Sequence, residues 1–143
     1  MYKRQTSDVR KYLKTYGIGS ELINLNAFTK NVKNCIDHNY LVILCLDMYE
    51  VGYNSDVTQQ SQKYYSTDHA KWGHFIVVKG YRVVDGKGYF ECYDPFPGGN
   101  PYFLTHEPRG KNRYYLADDL QKATANWCNY AIVVAPKGQA VSL

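Results

Sequence analysis

The sequence lacks any cysteine motif for metal binding or redox chemistry. It has four cysteines, but no two have the CxxC spacing, and no cysteine–histidine set has the spacing of a structural zinc site. A reduced cysteine in a domain core behaves as a small hydrophobic residue. We therefore expect buried, reduced thiols, and the sequence predicts no metal ion and no cofactor.

Long apolar runs and clustered charge are also absent. No stretch approaches the roughly 20 apolar residues that cross a bilayer, and no apolar region follows the basic residues 1–4 as in a signal peptide. The net charge is only +4, with lysine and arginine scattered along the chain, so there is no strong nucleic-acid signal. The sequence thus predicts no membrane segment, a cytoplasmic location if Met1 is the natural start, and a peptide or protein partner.

The 143 residues fit a single domain in which helices precede an antiparallel sheet. Apolar residues at helical spacing follow Ser7, and the nearly unbroken apolar run 40–48 is typical of a central strand buried on both sides. This order favours an α+β fold, with a core over 7–135, disordered or artefactual residues 1–6, and a loose tail over 136–143. The remaining predicted elements are a strand at 21–25, a helix capped by Asn26, a polar loop at 50–71, strands at 74–84 and 89–94, a helix from Tyr115, and a strand at 127–135.

The most informative segment is a hairpin with a histidine at the start of one arm and an aspartate at the end of the other. His74 opens the first strand, Asp94 closes the second, and Asp85-Gly86 between them is a strong turn signal. A carboxylate that orients an imidazole is two thirds of a Cys-His-Asp hydrolase site. His74 and Asp94 are therefore the candidate catalytic residues.

Strand geometry sets a condition on this pair, because directly opposed residues share a face of the sheet. With a regular two-residue loop, Val84 opposes Lys87, and Asp94 points away from His74. One extra residue, in the loop or in a β-bulge, brings Asp94 opposite Ile76, on the face of His74 and diagonal to it. The pair therefore requires an odd loop or a bulge.

Three aromatic residues upstream of His74 are candidate substrate-binding residues. Tyr64 and Tyr65 lie in the polar loop and could form a cleft wall, although an exposed aromatic pair is equally a protein-binding patch. Trp72 precedes His74 almost directly and could shield it from water, or simply anchor the loop in the core.

The residues also carry a family pattern, whose most specific parts are GHFIVVKGY at 73–81 and the DPF turn at 94–96. Together with KYLKTYGI, NCIDHNYLVILCLDM, YYLADDLQKA and NYAIVVAPKG, they make 7–135 resemble the papain-like cysteine peptidases that cleave double-glycine leaders from bacteriocins. The resemblance implies a papain-like half-domain, an antiparallel sheet flanked by helices, that takes part in hydrolysis of a peptide or amide bond. It assigns His74 as the general base and Asp94 as the carboxylate that orients it.

The nucleophile of that family is missing. Its catalytic cysteine begins an N-terminal helix within a Cys-Gly-Pro motif, and this sequence contains no such motif. The resemblance thus implies the C-terminal part of a cysteine peptidase, without the nucleophile helix and inactive as it stands. Residues 1–5 resemble the translation of a transposase sequencing adapter, which favours a truncated gene; a gene that lost its catalytic front is the rival explanation.

Three alternatives stay open. Cys92 or Cys45 could serve as the nucleophile, although neither lies at the helix N-terminus that lowers the pKa of a thiol. The scaffold could instead be a non-catalytic protein-binding module or an inhibitor, such as a phage-encoded anti-defence protein, with 50–71 as its contact surface. A transferase or deamidase that uses the same residues is the third.

Overall fold

The structure, a computed structural model, describes residues 2–47, 73–95, 101–108, 110–125 and 127–143. Within these ranges the chain forms an α+β fold of three helices and a six-stranded antiparallel open sheet. None of these helices combines the length and the apolar character that crossing a membrane requires. In chain order the elements are α1 (Tyr2–Thr15), β1 (Ser20–Asn24), α2 (Phe28–Asp37), β2 (Leu41–Asp47), β3 (Gly73–Val84), β4 (Lys87–Tyr93), β5 (Arg113–Leu116), α3 (Ala117–Ala125) and β6 (Tyr130–Val134).

The strands are arranged in the order β1-β6-β2-β3-β4-β5, with β1 and β5 at the edges. The apolar strand β2 lies between β6 and β3, which confirms the prediction of an interior strand. Branched apolar residues suit this position, because a central strand buries side chains on both faces.

One face of the sheet packs into the hydrophobic core beneath α2 and α3. Val42, Leu44 and Leu46 of β2 are fully buried on this face, and Leu44 opposes Ile76 of β3. Each such side chain contributes roughly 1.5–3 kcal/mol by leaving water. Leu46 opposes His74, so the histidine stands on the core face at the end of its strand.

Both ends of the described chain differ from the sequence prediction. Helix α1 begins at Tyr2 rather than near Ser7, because residues 2–6 contain no glycine or proline and include good helix formers. The tail, predicted to be loose, is tied to the domain: the Tyr40 hydroxyl donates to Ser142 O at 3.1 Å, and the Ser142 N–H donates back to it at 3.0 Å. Val141 packs against the core.

The predicted helix start at Tyr115 is wrong, since 113–116 form strand β5 and α3 begins at Ala117. Aromatic residues favour strands, and Tyr115 pairs with Phe90 of β4. Asp118 and Asp119 occupy the first turn of α3, where negative charge complements the helix dipole.

The predicted Asn26 cap of α2 is also wrong. The N-cap is Ala27, without a side-chain hydrogen bond, and the Asn26 N–H instead donates to Asn24 Oδ1 at 2.8 Å. This local turn leads the chain out of β1 and into the helix.

Candidate functional site

The β3–β4 hairpin turns through the two residues that the sequence indicates. Asp85 and Gly86 have φ angles of 50° and 73°, as a type I′ turn requires, and Val84 opposes Lys87. This two-residue loop would by itself direct Asp94 away from His74.

A β-bulge in β3 changes the register before the strand reaches the site. Gly80 opposes Glu91, but the next pair is Val78 with Cys92, so that Lys79 is an extra residue in β3. An extra residue in one strand shifts the alternation of the partner strand. The bulge therefore supplies the one extra residue that the His74–Asp94 pair requires, and the loop keeps its two residues.

Polar contacts hold the bulged Lys79 in place. Its Nζ lies 3.0 Å from Glu91 Oε1, donates to Asn112 Oδ1 at 2.6 Å, and lies 4.5 Å from the centre of the Tyr93 ring. Next to it, a Cβ on Gly80 would come within 3.1 Å of Glu91 Oε2. Glycine at 80 thus allows the glutamate to approach the bulge closely.

The His74–Asp94 hydrogen bond expected from the hairpin is formed. His74 Nε2 lies 2.6 Å from Asp94 Oδ1, with 14% of the histidine side chain and 0% of the aspartate side chain exposed. An ionised carboxylate only accepts hydrogen bonds, so Nε2 carries the proton, and proton exchange with another group falls to Nδ1. The catalytic roles of the two residues stay predictions.

The buried carboxylate of Asp94 has two further partners that the sequence analysis missed. The Tyr115 hydroxyl donates to Oδ2 at 2.5 Å, and Arg113 Nη1 lies 3.8 Å from the same oxygen. Burying a carboxylate is costly unless its charge is paired and its oxygens accept hydrogen bonds. The short bonds are of the charge-assisted kind, so the three side chains fix Asp94 in one orientation.

The environment of Tyr115 keeps its hydroxyl protonated. Burial raises the pKa of Tyr115 well above its usual value; Arg113 opposes this shift, while the charge of Asp94 and the hydrogen bond to it add to it. The phenol therefore remains a donor to Asp94 across the physiological pH range.

A signal for these two residues was present in the sequence. Arg113 and Tyr115 are two apart, which places them on one face of a strand. In β5 they oppose Cys92 and Phe90, residues that share their face with Asp94. Predicting a helix from Tyr115 concealed this alternation.

The backbone of Asp94 is clamped by Gly110. The Asp94 N–H donates to Gly110 O at 2.8 Å, and a Cβ on Gly110 would overlap the carbonyl oxygen of Asp94. Only glycine fits this approach without movement of one of the two backbones.

Neither thiol considered as a substitute nucleophile is well placed. Cys45 opposes Phe75, one residue along from the Leu46–His74 pair, so its side chain lies on the other face of the sheet. Burial, then the neighbouring Cys128, raises the pKa of Cys45 to about 12. Such a thiol carries little thiolate at neutral pH.

Cys92 shares the face of Asp94 but is fully buried in the core. Burial, then the charges of Asp94 and Glu91, raises the pKa of Cys92 far above its ordinary value. Cys35 and Cys128 are buried as well, and all four cysteines are free thiols.

The predicted substrate-binding residues Tyr64, Tyr65 and Trp72 lie outside the described residues. A different tryptophan, Trp127, contacts the strand beside the histidine: a Cβ on Gly73 would overlap its indole ring. Gly73 and His74 are consecutive, so this contact lies on the face opposite to the His74–Asp94 pair.

Among the described residues, no three His, Cys, Asp or Glu side chains converge as a metal-binding group would. No protein-family model, no curated protein sequence and no solved structure matches this chain. The geometry around His74 is thus the basis for a functional proposal.

Proposed function

We propose that His74, Asp94 and Tyr115 are the proton-transfer half of a papain-like thiol hydrolase centre, and that this chain alone hydrolyses no peptide bond. The observation that carries the proposal is the 2.6 Å hydrogen bond between His74 Nε2 and the fully buried Asp94 carboxylate. A carboxylate that holds one imidazole nitrogen fixes the tautomer and assigns general-base chemistry to the other nitrogen.

In such a centre a thiol gives its proton to His74 Nδ1, and the thiolate attacks the carbonyl carbon of a peptide bond. The imidazolium then returns the proton to the leaving amine, which leaves a thioester. Water attacks the thioester, releasing the carboxylic acid and restoring the thiol. Asp94 stabilises the imidazolium during both steps, while Tyr115 and Arg113 keep the carboxylate in position.

The sulfur in this proposal comes from outside these 143 residues, either from a natural N-terminal extension or from a second polypeptide, because their four thiols are buried. A helix that begins with Cys-Gly-Pro is the segment that the resemblance to double-glycine leader peptidases calls for. A helix N-terminus also lowers the pKa of a cysteine located there. Cys45 and Cys92 lie within strands β2 and β4, so their thiols lack this effect.

Co-expression with a polypeptide whose helix begins with Cys-Gly-Pro tests the proposal. Its thiol should react with an iodoacetamide probe at about pH 6, well below the range of an ordinary thiol, because His74 and Asp94 stabilise the thiolate–imidazolium pair. His74→Ala should return the reaction to alkaline pH, whereas His38→Ala, a change at an exposed histidine, should leave it unchanged. An identical pH profile with and without His74 contradicts the proposal.

A non-catalytic protein-binding module is the second candidate, favoured by exposed apolar side chains in the loop that follows the site. Phe103 and Leu104 are 73% and 87% exposed. The same loop contributes Pro108 to a groove of about 450 Å³ whose apolar lining includes Phe75 and Tyr93. Partner binding that depends on Phe103 and Leu104, and survives His74→Ala, would favour this function over the thiol hydrolase.

A further inference from the structure

A second groove lies along the β1 edge of the sheet, away from the strand β3 that carries His74. Among the strands that the structure describes, β1 lies at an edge of the sheet and pairs with β6. Between β1 and α1 runs a groove of about 810 Å³. An edge strand next to an open groove presents backbone donors and acceptors to a second chain.

The hydrogen-bond pattern shows which backbone groups of β1 face outward. The Leu25 N–H donates to Asn129 O at 3.1 Å, and the Ala135 N–H donates to Gly19 O at 3.0 Å. Odd-numbered residues in this stretch therefore bond toward β6. Since backbone groups alternate in direction along an antiparallel strand, the even-numbered residues of β1 point toward the groove side.

Side chains already occupy the two ends of this outward row. Arg10 Nη2 donates to Ser20 O at 2.9 Å, and Asn31 Nδ2 donates to Asn24 O at 3.2 Å. Leu22 lies between them, 39% exposed, and no described residue donates to its outward carbonyl or accepts from its N–H. The available stretch of edge is thus short and centred on Leu22.

The groove carries excess positive charge. The described residues that line it include three basic ones, Arg10, Lys11 and Lys14 of α1, and one carboxylate, Glu21. Glu21 is itself paired with Arg10 at 3.2 Å. Within the lining, Lys11 and Lys14 have no acidic counterpart, so the groove favours an occupant with negative charge.

We propose that this groove binds a short, extended acidic peptide of the form acidic-x-acidic, which adds to β1 as a strand. Residues two apart in a strand lie about 6.6 Å apart on one face, and residues three apart on a helix have Cβ atoms about 5–6 Å apart. Two carboxylates at this spacing therefore match Lys11 and Lys14, while the peptide backbone bonds to Leu22. Strand addition supplies affinity, and the paired charges supply specificity.

Fluorescence anisotropy with the labelled peptide TVEVEVT tests the proposal on the full chain. The double variant Lys11→Glu/Lys14→Glu should weaken binding by about tenfold or more, as expected when two surface ion pairs are reversed. The matched double variant Lys30→Glu/Lys122→Glu changes the net charge equally and should alter affinity by less than about twofold. Leu22→Pro removes the outward N–H, is tolerated in an edge strand, and should abolish strand addition.

Two control peptides separate strand addition from simple charge attraction. TVEEVVT has the same composition, but its glutamates point to opposite faces of a strand; TVKVKVT reverses the charge. Weaker binding of both supports the proposal. Equal binding of TVEVEVT and TVEEVVT, equal effects of the two double variants, or no saturation at about 1 mM peptide would overturn it. Because none of these measurements involves His74, they are independent of the thiol hydrolase proposal.

Discussion

The two ends of the β3–β4 hairpin consist of the same two strands but are held by different interactions. At the turn end, Asp85 and Gly86 adopt positive φ angles, and the flanking Val83 is 64% exposed. At the site end, Asp94 is buried and bonded to residues far along the chain, among them Tyr115. The turn therefore depends on local backbone preference, and the site on a tertiary network.

An aspartate-to-asparagine substitution at each end of the hairpin should give the largest difference in unfolding free energy. Asp94→Asn removes the buried charge that faces Arg113 and weakens the charge-assisted hydrogen bonds from His74 and Tyr115, so it should cost about 3 kcal/mol of unfolding free energy. Asp85→Asn should cost less than about 0.5 kcal/mol, because asparagine tolerates the left-handed conformation. Urea unfolding of both variants measures the difference; equal losses would contradict the division into local and tertiary ends.

A glycine pair gives the next largest contrast. Gly110→Ala places a Cβ against the carbonyl of Asp94 and should cost about 2–3 kcal/mol, because one backbone segment must move. Gly86→Ala meets open space and bears only the strain of its positive φ, about 1 kcal/mol. Thermal unfolding distinguishes the two, and a larger loss at Gly86 would show that the clamp on Asp94 is weak.

Removal of its hydroxyl tests whether Tyr115 belongs to the site. Tyr115→Phe loses a hydrogen bond to a charged acceptor and should cost about 1.5–2 kcal/mol. Tyr114→Phe, next to it in β5, keeps its ring 5.0 Å from the Arg82 guanidinium and should cost less than about 0.5 kcal/mol. The ¹⁵N signals of the His74 ring report whether its tautomer changes. An unaltered ring and equal stabilities would remove Tyr115 from the site.

Alkaline pH should weaken the site end selectively. Burial raises the pKa of the Cys92 thiol above its unfolded value, so the folded state retains a proton that the unfolded state loses. Stability from this thiol is complete below about pH 9 and then falls by about 1.4 kcal/mol per pH unit.

Cys92→Ala should lower this alkaline slope by about 1.4 kcal/mol per pH unit and leave the part that Cys45 contributes, because burial raises the pKa of that thiol too. Val84→Ala at the turn end should leave the slope unchanged. The measurement is unfolding free energy from pH 8 to pH 11. A slope as steep in Cys92→Ala as in the unsubstituted protein would assign the whole effect to other groups, Cys45 or the tyrosines.

The local signals of this sequence predicted local structure well. The Asp85-Gly86 turn follows from the positive φ angles that these residues accept, and the interior position of β2 follows from its apolar run. The register at Asp94 could be stated only as a condition. The bulge that meets it depends on contacts of Lys79 with Glu91 and Asn112, and the latter is 33 residues away.

The rest of the site was also missed because it depends on contacts between residues that are distant in sequence. Tyr115 and Arg113 act through β5, a four-residue strand too short to show a clear period beside the helix that follows it. Gly110 lies in an irregular stretch, where only the close approach of the Asp94 backbone reveals its purpose.

The bulge makes the site depend on how many residues the strand contains as well as on which ones. Deleting Lys79 would restore an unbroken ladder and turn Asp94 to the reverse side of the sheet, although every other residue kept its identity. Substitution scanning would overlook this dependence, whereas single-residue insertions and deletions along β3 would expose it. The side of the sheet on which Asp94 lies thus depends on whether β3 has an odd or an even number of residues between the turn and His74. An insertion or deletion of one codon is enough to reverse it.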